Sequence, residues 1–263
     1  MKKTALLFAI ALVFINNTSA QKINGKSWDL RDGALLDGKT ILKANMLGWA
    51  TRNIGFYGER ILTKNISAIV GINVMPQGGI PYINNFVTDD PQIENIEIGT
   101  FSFTPELRFY LNRSGYGRGF YIAPYYKYER YKVSNFLIEL EDENSTTNEI
   151  DVSGNLNTHS VGAVIGVQWL LGRKKNIALD WSIIGAHYGS NKGFFNGTST
   201  FEMSDEEQAD LKDEITDMFN DIELLGKKMT EVESVNVTSN SAEASTKGPW
   251  AFIRASLSIG YRF

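Results

Sequence analysis

The chain has 263 residues, 26 of them basic and 30 acidic, for a formal net charge of −4. That mild acidity argues against a nucleic-acid partner, which needs a basic face. There is no cysteine, so disulfide staples and thiolate metal sites are out of reach, and no stretch beyond the leader is apolar enough for a spanning helix.

Residues 1–20 read as a cleaved secretory signal peptide. Lys2 and Lys3 give the positive start, Ala5 to Ile15 are almost unbroken apolar residues, and Thr18-Ser19-Ala20 offers a cleavage site. Cleavage removes two lysines and takes the charge from −4 to −6 (−4 − 2). Residues 21–263 then form one domain, opened by a periplasmic lead-in over 21–39.

Eight strands are expected, at about 41–51, 53–61, 66–76, 99–111, 119–133, 159–171, 176–188 and 249–263. Most alternate with the side-chain period of two that marks a strand with one apolar and one polar face. In the fourth, Phe101, Phe103, Pro105, Leu107 and Phe109 oppose Ser102, Thr104, Glu106, Arg108 and Tyr110. In the fifth, Phe120, Ile122, Pro124, Tyr126 and Tyr128 oppose Tyr121, Ala123, Tyr125, Lys127 and Glu129. Pro105 and Pro124 fall inside strands, where a missing N–H is costly, and bulges are expected there.

Connections alternate between short (62–65, 112–118, 172–175) and mostly long (77–98, 134–158, 189–248). Short periplasmic turns and long external loops are the asymmetry of outer-membrane barrels. The last loop holds a helix expected over about 204–226: Ser204 to Glu207 is a capping box, and Leu211, Ile215, Met218, Phe219 and Ile222 follow at helical spacing. The closing strand puts Ala251, Ile253, Ala255, Leu257, Ile259, Tyr261 and Phe263 on one face and stops on the aromatic.

The fold expected is all-β: an eight-stranded antiparallel transmembrane β-barrel with one helix in its last external loop, in the outer membrane of a Gram-negative cell. Lipid tolerates no open sheet edge, so closure is required. Trp49, Tyr126, Tyr128, Trp169 and Trp181 are the expected girdle aromatics. Eight strands leave room inside only for side chains. The polar faces place Lys43, Glu59, Glu106, Arg108, Lys127, Glu129, Asp180 and Arg254 there, four acids against four bases, as a structural network or a gate.

Candidate chemistry is sparse. His159 and His187 are the only imidazoles, and His159 and Ser160, as neighbours on a strand, point to opposite faces. His187 is expected near the external end of the seventh strand. The acids Glu139, Glu141, Asp142, Glu143 and Glu149 lack the spacing of a calcium loop. No catalytic residue, metal site or cofactor is expected.

Four segments carry a family resemblance: Lys43-Ala44-Asn45-Met46-Leu47-Gly48, Thr104-Pro105-Glu106-Leu107-Arg108-Phe109-Tyr110-Leu111, Gly248-Pro249-Trp250-Ala251-Phe252-Ile253-Arg254 and Gly260-Tyr261-Arg262-Phe263. With them the chain resembles the small single-chain outer-membrane β-barrels, and more narrowly an uncharacterised subfamily, a domain of unknown function. The resemblance implies fold and location and carries over no catalytic residue. Ile259, Tyr261 and Phe263 are similar to the signal read by the barrel-assembly machinery. Expected partners are outer-membrane lipids and lipopolysaccharide, that machinery, and an unidentified surface partner. The role expected is structural, adhesive or partner-binding, with a narrow gated channel and a surface lipid-acting enzyme as alternatives.

Overall fold

The computed structural model describes residues 38–79, 96–111, 116–141, 147–220, 223–224 and 227–263. The signal segment, nearly all of the lead-in and the loop acids Asp142 and Glu143 lie outside them. In chain order the elements are β1 (Thr40–Asn45), α1 (Met46–Ala50), β2 (Ile54–Ile61), β3 (Ile66–Met75), β4 (Glu97–Tyr110), β5 (Gly119–Glu141), β6 (Thr147–Leu171), β7 (Ile177–Ser199), α2 (Asp205–Asn220), β8 (Glu223–Leu224), β9 (Lys227–Lys228), β10 (Glu231–Val237) and β11 (Ser241–Arg262).

Nine strands form one antiparallel sheet in the order β1-β2-β3-β4-β5-β6-β7-β11-β10, and β1 also pairs with β11. The sheet therefore closes into a ring, with β10 as a side branch. β11 shares its second edge, pairing with β1 over 258–262 and with β10 over 242–247. The fold is all-β, as the alternation implies. Among the described residues no helix is long and apolar enough to cross a membrane.

Alternation sets the two faces of the ring. Leu42, Phe56, Val70, Ile72, Phe101, Phe103, Phe109, Ile122, Ile165, Ile177, Ile259 and Tyr261 are exposed on its outside. Lys43, Glu59, Ser67, Thr104, Glu106, Arg108, Gln168, Asp180 and Ser258 are buried inside it. Near the end that carries Thr40 and Arg262, Ile41, Ile61, Leu170 and Ala178 form a small apolar cluster.

Three features differ from the sequence reading. β1 stops at Asn45, because the chain coils into α1, closed by bonds from Thr51 N and Asn53 N to Gly48 O. Trp49 thus stands on a short helix, exposed, instead of at a strand end. Second, β5, β6, β7 and β11 run far beyond their expected ends, so much of the expected loops 134–158 and 189–248 is strand. His187 consequently lies mid-strand. Third, neither Pro105 nor Pro124 sits at a bulge. The register shifts fall at Val133/Phe136, Ile165/Gly166, Arg254/Ser256 and Val232/Ser234. The β3–β4 ladder runs through Pro105 and the β5–β6 ladder through Pro124 without a break. Between β4 and β5, by contrast, Glu106↔Tyr125 is the single pairing from Phe103↔Tyr128 to Phe109↔Ile122. Both prolines direct their missing donors into that one seam.

The helix α2 ends at Asn220, short of the expected 226. Ser204 and Glu207 cap it reciprocally: Glu207 N donates to Ser204 Oγ at 3.3 Å, and Ser204 N to Glu207 Oε2 at 2.7 Å. Its apolar stripe covers a second core, where Leu211 and Ile215 meet Ile150, Met203, Ala242 and Ala244, with Phe195 and Phe219 4.8 Å apart.

Candidate functional site

The interior concentrates the unusual chemistry. Lys43 Nζ on β1 donates to Glu59 Oε2 at 2.9 Å, Gln168 Oε1 at 2.9 Å and Asp180 Oδ2 at 2.6 Å. Arg108 on β4 donates through Nε to Glu106 Oε1 at 2.6 Å and through Nη1 to Asp180 Oδ2 at 2.7 Å. Arg254 Nη1 on β11 lies 3.1 Å from Glu106 Oε2, an ion pair whose alignment is poor for a hydrogen bond. Lys43, Arg108 and Arg254 thus face Glu59, Glu106 and Asp180, three charges of each sign.

Neutral groups fill the remaining valences of Glu59 and Asp180. Glu59 Oε1 accepts from Ser67 Oγ at 2.6 Å and from Tyr110 OH at 2.7 Å. Tyr121 OH donates to Asp180 Oδ1 at 2.9 Å, and its ring lies 3.9 Å beneath the Arg108 guanidinium. Gln168 Nε2 donates to Glu59 Oε2 at 3.1 Å and to Gly117 O at 2.7 Å. Buried charge persists where it is paired and hydrogen-bonded, and apart from the poorly aligned Arg254–Glu106 contact this cluster meets both conditions. It ties β1, β2, β4, β6, β7 and β11 together.

Of the eight interior charges read from the sequence, six join this cluster. The other two, Lys127 and Glu129, pair with each other at 2.6 Å farther along β5. Gln168, Tyr110 and Tyr121 were not singled out as network members. Tyr110 and Tyr121 carry a signal, since they share strand parity with Arg108 and Lys127. Gln168 sits on the inward parity of β6 as well, and the register sets it opposite Asp180.

The two histidines stand on opposite faces of the wall. His187 is buried on the inner face, its Nδ1 3.0 Å from Tyr125 OH. His159 is exposed on the outer face, 2.6 Å from Tyr126 OH, while Ser160 turns inward. Among the described residues no group of three or more His, Asp or Glu could hold a metal.

On the outside, Tyr126 and Tyr128 stand along β5, Trp169 near the end of β6 and Trp181 on β7 opposite Leu257. Ile259, Tyr261 and Phe263 are exposed on the same outer face, with the last two rings 5.5 Å apart.

Residues 7–209 match the family model described as "Protein of unknown function (DUF3575)". No curated protein matches the chain.

Proposed function

We propose that this chain, which belongs to the DUF3575 family, is an eight-stranded β-barrel that spans the outer membrane of a Gram-negative bacterium. Its role there is non-catalytic and is exercised by its external end through structural, adhesive or partner-binding contacts.

The carrying observation is the inverted polarity of the ring: charged cluster inside, apolar residues outside. A soluble barrel would bury those apolar side chains. Along β6 the outward positions Leu171, Trp169, Val167, Ile165, Ala163 and Val161 form an apolar run that gives way to Asn157, Asn155 and Ser153. The ten steps from Val161 to Leu171, at a rise of about 3.4 Å and a tilt of about 40°, give a band roughly 26 Å tall, which matches the apolar band of outer-membrane barrels.

Eight strands, β1 to β7 and β11, make the ring in this reading, and β10 is an external arm. A ring of that size holds only side chains, and the bonded cluster supports a lumen that does not conduct. Residues 1–20 export the chain. Ile259, Tyr261 and Phe263 present the row for the barrel-assembly machinery, and lipid and lipopolysaccharide surround the belt. The short turns share an end with Thr40 and Arg262, which supports a periplasmic location for them. The tall wall of β5, β6, β7 and β11, with α2 and β10, then faces outward and offers the partner surface.

Cell fractionation and migration on a denaturing gel test this. The protein is expected in the outer-membrane fraction and runs faster unheated than boiled. Recovery in the soluble periplasm with no such shift would overturn the reading.

A further inference from the structure

The outer face changes character where the apolar band ends. There the register sets Arg130 on β5, Asn157 on β6, Lys192 on β7 and Lys247 on β11 in one cross-strand row. Lys132 stands two residues farther along β5, and all four cations are exposed. The adjoining row toward the band holds Tyr128 and His159, whose rings are 5.1 Å apart, and the row beyond it holds Tyr126, Val161 and Tyr188. Cations therefore sit directly above an aromatic edge.

Like charges set directly opposite on neighbouring strands repel, as Lys192 and Lys247 do. Glu233 relieves Lys247 with an ion pair at 2.8 Å, and Glu231 stands beside Lys247 on β10. Lys132 and Lys192 form no ion pair among the described residues. Glu97, one row farther out beside Ser134, pairs with neither. Arg130 is held in place, its Nε and Nη2 donating to Asn155 Oδ1 at 3.3 and 3.2 Å, which leaves Nη1 uncommitted. Tyr128 OH donates to Asn157 Oδ1 at 3.0 Å, so the polar side chains between the cations are fixed as well.

We infer that Arg130, Lys132 and Lys192 form a binding site for the phosphate groups of an outer-leaflet lipid, whose acyl chains lie against the apolar band below. The site rests on the membrane-spanning reading and gives it a specific lipid contact. An anionic headgroup removes the repulsion in the row, and a guanidinium held by Asn155 meets phosphate without first losing side-chain freedom.

The test uses the full mature chain in detergent micelles, titrated with bisphosphorylated lipid A, dephosphorylated lipid A or inorganic phosphate, with bound lipid read by native mass spectrometry. One variant carries Arg130→Gln, Lys132→Gln and Lys192→Gln. A charge-matched control carries Arg173→Gln, Lys174→Gln and Lys175→Gln, in the turn at the opposite rim. Each cation near an anionic surface contributes about fivefold, so the first variant should bind bisphosphorylated lipid A at least roughly tenfold more weakly. The control should bind as the parent does, and dephosphorylated lipid should bind weakly to all three. Equal binding by the site variant, an equal loss in the control, or displacement of lipid by millimolar inorganic phosphate overturns the site while the heat-dependent gel shift persists. Loss of that shift in the parent chain overturns the membrane reading, and the site with it.

Discussion

Arg254 and Glu106 meet at 3.1 Å although they stand on β11 and β4, strands with three others between them whichever way the ring is followed. Their contact spans the full width of the interior. Arg108, beside Glu106 on β4, reaches Asp180 on β7 at 2.7 Å and doubles the crossing. With Lys43 and Glu59 the six charges cancel, so removing any one leaves net charge where water does not reach.

Arg108→Ala should therefore be costly. It strips Glu106 and Asp180 of their common partner and should destabilise the folded chain by about 3–5 kcal/mol, as breaking a buried pair does. Urea unfolding followed by the gel shift measures this. Arg108→Met combined with Asp180→Asn restores the charge balance and should recover a large part of the loss. A single-variant cost below about 1 kcal/mol would mean that the cluster does not hold the walls together.

The extent to which this was legible in the sequence follows the environment of each strand. Between Gly119 and Glu129, or Leu107 and Leu111, inner and outer faces meet opposite surroundings, and hydropathy alternates. Strands also run on where both faces are polar, as in Ser190, Asn191, Lys192 and Gly193 on β7, and there period two vanishes from hydropathy although the backbone is unchanged. That is why 134–158 and 189–248 read as loop. Parity alone assigns the interior charges and sets Glu106 beside Arg108 and Lys127 beside Glu129, but it cannot give the cross-strand partners, since Lys43 and Asp180 are 137 residues apart. The α1 turn leaves no signal in Met46-Leu47 because both side chains are exposed.

The limits of the apolar band can be located by substitution. Ile165→Arg places a charge on the outer face within the band and should cost about 2–4 kcal/mol in a bilayer. Ser153→Arg, on the same face of β6 but beyond the band, should change stability by about 1 kcal/mol or less. Unfolding in lipid vesicles measures both, and equal effects would contradict a lipid boundary between the two positions.

The second core should fail independently of the ring. Leu211 is fully buried under α2, and Leu211→Ala should weaken that packing by about 2–5 kcal/mol. Ser204→Ala removes the cap and should cost about 1 kcal/mol. Limited proteolysis should then cut within 204–220 while the ring keeps its heat-dependent gel shift. Loss of the shift would show that α2 supports the ring itself.

Pro105→Val and Pro124→Val return two N–H donors to the seam between β4 and β5. If the ladder accepts them, each should add about 0.5–1.5 kcal/mol, the ordinary net worth of a hydrogen bond. Amide exchange should slow at Leu107 and Tyr126 in the double variant, and unchanged exchange there would show that the seam is held open by something other than the prolines.

That seam bears on how the ring resists being pulled apart. A hoop loses strength wherever a joint gives up backbone bonds, and both prolines take theirs from the joint between β4 and β5. The ties from Arg108 to Asp180 and from Glu106 to Arg254 run from one side of this joint to strands on the other. Where the wall gives up backbone bonds, the interior charges act as a tension strut, so side-chain electrostatics add hoop strength at the stretch where this ladder is interrupted.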